Sequence, residues 1–163
     1  MMHEIKVRRA IRSDAREMAG ILRELGWSKR RNNMKLEEVT KPIEDLIEHS
    51  IKDKDGHTVY VAIDKSLNVI GFTNVHWVPF IMLGSYEGYI TDVFVRPSAS
   101  GKGVGTLLVK TVMKEGKVRG CMRLMLTNGK NKPSYKRGFY KQLGWTERPN
   151  VANFVYYYKE PWS

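Results

Sequence analysis

Ser100-Gly101-Lys102-Gly103-Val104-Gly105, with Thr106 following, is the stretch that most constrains how this chain folds. It comes after an apolar run, Tyr89 to Val95, and opens a segment whose apolar residues Val104, Leu107, Leu108, Val112 and Met113 recur with helical period. A strand, a tight glycine turn and a helix are therefore expected in that order. Glycines at alternate positions leave the main chain without side-chain cover, so its N–H groups are open to a close-lying ligand. At the start of a helix those groups lack intrahelical acceptors, and the helix dipole adds partial positive charge. Together these favour a phosphate. A strand-to-helix turn with no ligand fits the same local pattern.

The rest of the chain supplies elements to pack around that turn. Glu4 to Ala10 alternates and reads as a first strand. Asp14 and Glu17 are spaced for a capping box ahead of a helix with Met18, Ile21, Leu22 and Leu25 on one face, which Gly26 can end. Trp27 to Asn33 reads as a basic loop carrying one aromatic. Leu36, Val39, Ile43, Leu46 and Ile47 share a second helical face, with a break expected near Lys41 because Pro42 has no N–H to donate. Thr58–Ile63, Val69–Trp77 and Glu87–Val95 read as strands, and Gly71 marks a bulge or a close approach. Val78 to Tyr86 is expected to be a loop. Its apolar Phe80, Ile81, Met82 and Leu83 suit packing over a substrate pocket, against a second copy in a homodimer, or on the chain's own core. Cys121–Leu126 reads as a strand, Ser134–Leu143 as a helix closed by Gly144, and Asn153–Lys159 as a last strand. Hairpin-like strands followed by strand–helix–strand give an α+β class with a mixed sheet. The 163 residues show no linker or repeat, so one domain over 1–163 is expected.

Charge and cysteine usage narrow the setting. Lys and Arg number 28 against 17 Asp and Glu, so the surface attracts polyanions: nucleic acid, an anionic membrane or a phosphorylated small molecule. A solvated basic face with no dedicated partner is the plainer alternative. Cys121 is the one cysteine, which excludes an intrachain disulfide framework and fits a reducing compartment. No apolar run approaches the roughly 20 residues that span a bilayer, and the first residues build no signal-like apolar stretch. A soluble, cytoplasmic protein without a membrane partner is expected. Cys121 begins an apolar strand with no neighbouring histidine and reads as a small core residue. His3, His49, His57 and His76 are scattered in sequence without metal-ligand spacing, so no metal is expected.

Two familiar phosphate motifs fail at the glycines. A dinucleotide fingerprint would place its third glycine on Thr106 or on Leu108, and Leu126-Thr127-Asn128 stands where an acidic residue is needed. A P-loop requires Ser or Thr after its lysine, and Gly103 follows Lys102. What the stretch resembles is the GNAT superfamily of acyl-CoA N-acyltransferases, whose signature is Gln or Arg, two residues, Gly, one residue, then Gly or Ala between a strand and a helix. Gly103-Val104-Gly105 match it, and Ser100 stands in the Gln/Arg position as a departure. Asp92-Val93-Phe94-Val95-Arg96-Pro97 resembles the family's fourth strand. Phe139-Tyr140-Lys141-Gln142-Leu143-Gly144-Trp145 resembles its aromatic-Tyr-x-x-x-Gly-aromatic helix end, and Val7-Arg8-Arg9-Ala10 with Asp14 its opening.

The resemblance covers nearly the whole chain. It implies a mixed, mostly antiparallel sheet split between its fourth and fifth strands and flanked by about four helices. It also implies acetyl-CoA, or a close acyl-CoA, as co-substrate. The pyrophosphate would rest on Gly101, Lys102, Gly103, Val104, Gly105 and Thr106, and the pantetheine arm would pair with the backbone of Val93, Phe94 and Val95 like an added strand. Losing a Gln/Arg side chain at Ser100 would weaken the phosphate contacts modestly, with Lys102 or its neighbours adding charge. Asn131 and Ser134 resemble polar residues that touch the cofactor.

Acyl transfer to a small-molecule or peptide amine needs a base, a polarised carbonyl and a proton for the leaving thiolate. Tyr140 matches the family's general acid, a phenol near pKa ~10 being close to a CoA-type thiol. A backbone N–H near Val93 or Phe94 would polarise the carbonyl. Glu87 is the first candidate base, Asp92 the second and His76 the third. With period-two alternation Glu87, Tyr89, Thr91 and Val93 share one face and Asp92 points to the other. A solvated carboxylate at a strand end is the plain alternative for Glu87. A non-catalytic CoA-binding fold and a nucleic-acid surface on Lys130–Lys141 are the competing functions, the second the weaker because CoA phosphate explains the same lysines.

Overall fold

Five strands form one sheet in the order β1 (Lys6–Arg9), β2 (His57–Ile63), β3 (Val69–Phe80), β4 (Ser85–Val95) and β5 (Arg123–Leu126). Neighbours are antiparallel except β4 and β5, which run parallel. The computed structural model describes residues 4–159. By compactness the chain comprises two units, Met1–Leu126, which holds the sheet, and Thr127–Ser163. The first unit also carries α1 (Ala15–Leu25), α2 (Lys29–Asn33), α3 (Leu36–Lys52) and α4 (Val104–Val118). This α+β arrangement, with a mixed and mostly antiparallel sheet, is the class expected.

β2 is buried at every position because both of its faces are covered, which is why Val59–Ile63 reads as an unbroken apolar run. On one face Val59, Val61, Ile63 and Phe72 pack with Met18 and Ile21 of α1 and Ile47 of α3. On the other lies α4, whose Val104, Leu108, Val109 and Val112 are buried. Each such aliphatic side chain contributes about 1.5–3 kcal/mol on burial. Gly71 is where helix and sheet come closest. A Cβ there would stand 2.9 Å from the Phe94 carbonyl oxygen, 2.9 Å from Val104 Cγ1 and 3.3 Å from Leu108 Cδ1.

Several local expectations gave way to pairing and packing. Asp14 and Glu17 form no capping box: the Asp14 carboxylate takes both Arg8 guanidinium nitrogens, at 2.7 and 2.8 Å, and Glu17 accepts the Val69 N–H at 2.9 Å. Trp27–Asn33 is only partly a loop, since Ser28 accepts the Arg31 N–H and caps α2. α3 runs straight through Pro42. The proline forfeits one backbone bond, and the buried contacts of Val39 and Ile47 hold the helix on either side of it. Val78–Tyr86 is not a free loop but the tip of the β3–β4 hairpin, with a single 3₁₀ turn at Ile81–Leu83. There Ile81 and Met82 are 98% and 77% exposed, so neither packs on the chain's own core.

The second unit differs more. The helix expected over Ser134–Leu143 is two short pieces, α5 (Pro133–Lys136) and α6 (Phe139–Gln142), interrupted at Gly138 with φ +67°. The strand expected over Asn153–Lys159 does not form among the described residues. Phe154, Tyr156 and Tyr158 have high strand propensity, but that propensity expresses fit to a pleated, half-buried surface. Here no ladder partners the segment, and the three rings are exposed.

Candidate active site

The feature on which the site is built is an unpaired length of β4. β5 pairs with Glu87–Ile90 and ends at Leu126, so Thr91–Val95 continue beyond it with no strand paired on that side among the described residues. Their orientation follows from the antiparallel ladder with β3. The Arg96 N–H bonds the Ile70 carbonyl, and by alternation Phe94 and Asp92 also turn their backbone groups toward β3. Val93 and Val95 therefore present N–H and C=O to the open split. This is the stretch at which the sequence expected a cofactor to add a strand.

At the end of β4 the chain passes through Pro97–Ala99 into the glycine turn. Gly101 and Gly103 have φ of +75° and +82°, and Gly103 is the N-cap of α4. None of the six N–H groups from Gly101 to Thr106 has a backbone acceptor among the described residues; the first to find one is Leu107, on the Gly103 carbonyl. Lys102 bonds the Ser98 carbonyl through Nζ at 3.0 Å, and Ser100 is exposed in extended conformation. Six consecutive unpaired amides at the N-terminus of a four-turn helix suit a phosphorylated ligand by charge and by hydrogen bonding alike. A Cβ on Gly101 or Gly103 would meet nothing within 4 Å. Gly101→Ala or Gly103→Ala is thus expected to cost about 1–2 kcal/mol from backbone strain alone, which urea unfolding can measure.

In the second unit Tyr140 is fixed by the way α6 stops. Gly144, at φ +88°, donates to the Lys141 carbonyl, and Trp145 donates to the Tyr140 carbonyl. These are the paired bonds of a Schellman motif, completed by Trp145 packing edge-on to the Tyr140 ring at 5.9 Å. Phe139 packs on the same ring at 4.9 Å. Burial pushes the Tyr140 phenol up to about 12, against a smaller lowering by Arg137. The Tyr-x-x-x-Gly-aromatic spacing is therefore the sequence trace of a helix stop that immobilises the phenol.

The three candidate bases differ in their surroundings. Glu87 is buried and its carboxylate is held in an ion pair with Nε of Arg123, its direct neighbour in the β4–β5 ladder. Asp92 is not on the face that simple alternation assigns it. A register shift pairs Asn74 with Asp92 but Val75 with Ile90, leaving Thr91 as the extra residue of a β-bulge. The bulge reverses the parity, so Asp92 joins Glu87 and Tyr89 on the face of Asn74 and His76, while Val93 moves to the other. The Asp92 Oδ2 accepts from Thr91 Oγ1 at 2.8 Å and from Asn74 Nδ2 at 3.2 Å. His76 stacks on His57 at 4.5 Å with rings 5° from parallel. Burial lowers its pKa, the nearby His57 lowers it further, and Asp92 opposes both.

The histidines thus come together although the sequence scatters them. His49, His57 and His76 form one cluster, with His3 outside the described residues. Among the described residues no group of three His, Cys, Asp or Glu side chains is placed to hold a metal ion. The edge-on packing of Trp27 against Phe94, at 5.2 Å, and the Asn74–His57 contact have no trace in the sequence. Only three-dimensional pairing reveals them. Ser134 donates to Asn128 at 3.0 Å, and Asn131 is exposed. In the basic stretch Lys130 and Lys141 both pair with Glu147, at 3.3 and 3.2 Å, and Tyr135 donates to the same carboxylate. Cys121 is half-buried, and burial raises its thiol pKa.

Comparison with known proteins adds a family to this geometry. Residues 21–145 match the family described as "Acetyltransferase (GNAT) family". Glucosamine 6-phosphate N-acetyltransferase 1 of Oryza sativa subsp. japonica is 28% identical over 103 residues, which are 62% of this chain and 59% of that protein. A crystal structure of a transcriptional regulator from Bacillus halodurans C-125 superposes with a TM-score of 0.78 at 25% identity, over 95% of this chain and 100% of the other. That of glucosamine-6-phosphate N-acetyltransferase from Arabidopsis thaliana gives 0.72 at 21%, over 96% and 99%. In the described residues no helix is long and apolar enough to cross a membrane.

Proposed function

The chain belongs to the acetyltransferase (GNAT) family, and from that premise we propose that it moves an acetyl group from acetyl-CoA to a primary amine by direct transfer. One observation carries the reading: a strand edge open at Val93 and Val95 leads directly into six unpaired amides at Gly101–Thr106. A linear ligand with a phosphorylated end and an amide-bearing arm suits that pair of features. The amides take the pyrophosphate, Lys102 adds charge beside them, and Val93 and Val95 bond the arm as an added strand would. When bound, acetyl-CoA supplies the acyl thioester. The N–H of Val93 is the donor for its carbonyl oxygen.

Tyr140 is the proton donor in this account. Its raised pKa keeps the phenol protonated across the range in which an amine nucleophile is neutral, which a donor requires. Asn131 and Ser134 are assigned to the cofactor by resemblance. Glu87, bound to Arg123, fastens β5 to β4 at the closed end of the split. The basic α2, with Lys29, Arg30 and Arg31 beside Trp27, favours a neutral or acidic acceptor over a polycation. The rice relative's name makes glucosamine 6-phosphate a natural first probe. The test is release of free thiol from acetyl-CoA against a panel of glucosamine 6-phosphate, simple alkylamines and peptides with free N-termini. Thiol release that depends on one class of amine supports the reading; acetyl-CoA left intact by the whole panel contradicts it.

A further inference from the structure

Resting on that acetyl-transfer reading, we propose that Thr73 is a positioning residue for the reaction: its buried hydroxyl holds the Asp92–Val93 peptide so that the Val93 N–H aims into the split. Thr73 lies on β3 opposite Val93 and is fully buried. Its Oγ1 donates to the Asp92 carbonyl oxygen at 2.8 Å. That carbonyl and the Val93 N–H belong to one peptide unit, planar and trans, so they point in opposite directions. Fixing the carbonyl toward β3 therefore fixes the N–H away from it, on the side where no strand pairs with Thr91–Val95 among the described residues. The bond also polarises the amide it grips, which makes that N–H a stronger donor.

A brace is needed here because the bulge interrupts the ladder. Asn74 pairs with Asp92 but Val75 with Ile90, so Thr91 has no residue opposite it and the regular bonds that orient β4 elsewhere lapse at this point. Alternation along β3 puts Thr73 on the side of Gly71, which is the side of α4, where Val104, Leu108 and Val112 are buried. Valine has nearly the same shape and suits such surroundings better, since burying a hydroxyl costs free energy unless it is bonded. The Asp92 carbonyl is the acceptor that satisfies this one. From the opposite face Asn74 grips the side chains of the bulge. Its Nδ2 donates to Thr91 Oγ1 at 2.9 Å and to Asp92 Oδ2 at 3.2 Å, so its Oδ1 turns to His57 and accepts from Nε2–H. Of the side-chain bonds at the bulge, the Thr73 bond alone among the described residues reaches the peptide that carries the Val93 N–H.

In the transfer step the Val93 N–H meets charge that exists only while bonds are changing. As the amine lone pair forms the C–N bond, the carbonyl π pair moves onto oxygen. It returns when the C–S bond breaks with its electron pair on sulfur, and the proton that nitrogen sheds ends on that sulfur. An N–H already held in place loses nothing to reorganisation at that moment. A misaimed one lowers kcat more than it raises KM for acetyl-CoA, because the amides of Gly101–Thr106 are untouched.

The experiment compares wild type, Thr73→Val and Thr73→Ser with acetyl-CoA and the amine panel. Thr73→Val is expected to lower kcat by about 10-fold, short of the roughly 10²–10³ that removing an oxyanion donor outright costs. KM for acetyl-CoA should stay near the wild-type value. Thr73→Ser keeps the hydroxyl and should restore most of kcat, although the lost methyl makes it the less stable variant. A merely structural role predicts the reverse order, with activity following Tm and valine ahead of serine. NMR of the free protein reads the brace without turnover. In Thr73→Val the Asp92 carbonyl-carbon and Val93 amide-nitrogen resonances should both move upfield, while those of Val95 hold still. Should Thr73→Val not fold, Thr73→Ala and Thr73→Ser make the pair, because they differ by a single oxygen. Equal kcat with and without the hydroxyl, or Asp92 and Val93 resonances that stay in place, overturns the assignment while acetyl transfer stands. Wild-type thiol release absent with every amine overturns the acetyl-transfer reading and this role together.

Discussion

Gly71→Ala is expected to lower stability by about 1–3 kcal/mol, or roughly 3–10 °C in Tm for a chain of this size, and to weaken acetyl-CoA binding in the same protein. No φ strain is involved, since Gly71 is not among the glycines at positive φ. The cost is steric. Of the atoms a Cβ would meet, the Phe94 carbonyl oxygen is backbone and is fixed by the β3–β4 ladder. Val104, the other at 2.9 Å, is the first residue of α4. The added methyl must push β4 or lift the start of α4, and both flank the split. Gly101→Ala makes the control for stability, because its Cβ meets nothing and its cost comes only from positive φ. Thermal unfolding of the two variants with and without acetyl-CoA separates crowding at the sheet from strain in the cradle.

Tyr140→Phe is expected to lower turnover by about 10²–10³ while leaving stabilisation by acetyl-CoA almost unchanged. The substitution removes one hydroxyl and keeps the ring that Phe139 and Trp145 pack. Spectrophotometric titration of tyrosinate gives a second readout. The absorbance increment present in wild type and missing from Tyr140→Phe should appear near pH 12, above the ordinary phenol near 10. A phenol held that high is a weak donor to a thiolate of ordinary basicity near 8.5. Transfer is favourable only where the leaving sulfur is desolvated as well, so the proton should move as the C–S bond breaks. Turnover left intact in Tyr140→Phe, with the lost increment lying near pH 10 and not near 12, would remove Tyr140 as the acid.

The parts of the site legible in the sequence are those set by local backbone chemistry. The glycine cradle needs only positive φ and a helix start, and Gly101, Gly103 and the helical pattern from Val104 state both. The Tyr140 helix stop is equally local, because a Schellman motif spans six residues. What failed depended on pairing. Period-two alternation placed Asp92 on the wrong face because a bulge is a property of two strands, and nothing in Ile90-Thr91-Asp92 alone requires one. His49, His57 and His76 lie on a helix and two strands, so no spacing rule joins them. Pro42 misled for a related reason: the packing of α3 on its neighbours outweighs one missing backbone bond. The aromatic segment Asn153–Lys159 shows the converse, strong strand propensity in a stretch that joins no ladder among the described residues.

The central claim is that the amides of Gly101–Thr106 and the open edge of β4 hold acetyl-CoA. Thermal unfolding of the wild-type chain over a concentration series of acetyl-CoA tests it without knowledge of the acceptor. A ligand bound only by the native state at a hundred times its Kd adds about 2.7 kcal/mol, which here is a rise of roughly 5–10 °C in Tm. That rise, reduced in Gly103→Ala, is the predicted result. A Tm that stays constant up to millimolar acetyl-CoA would contradict the account.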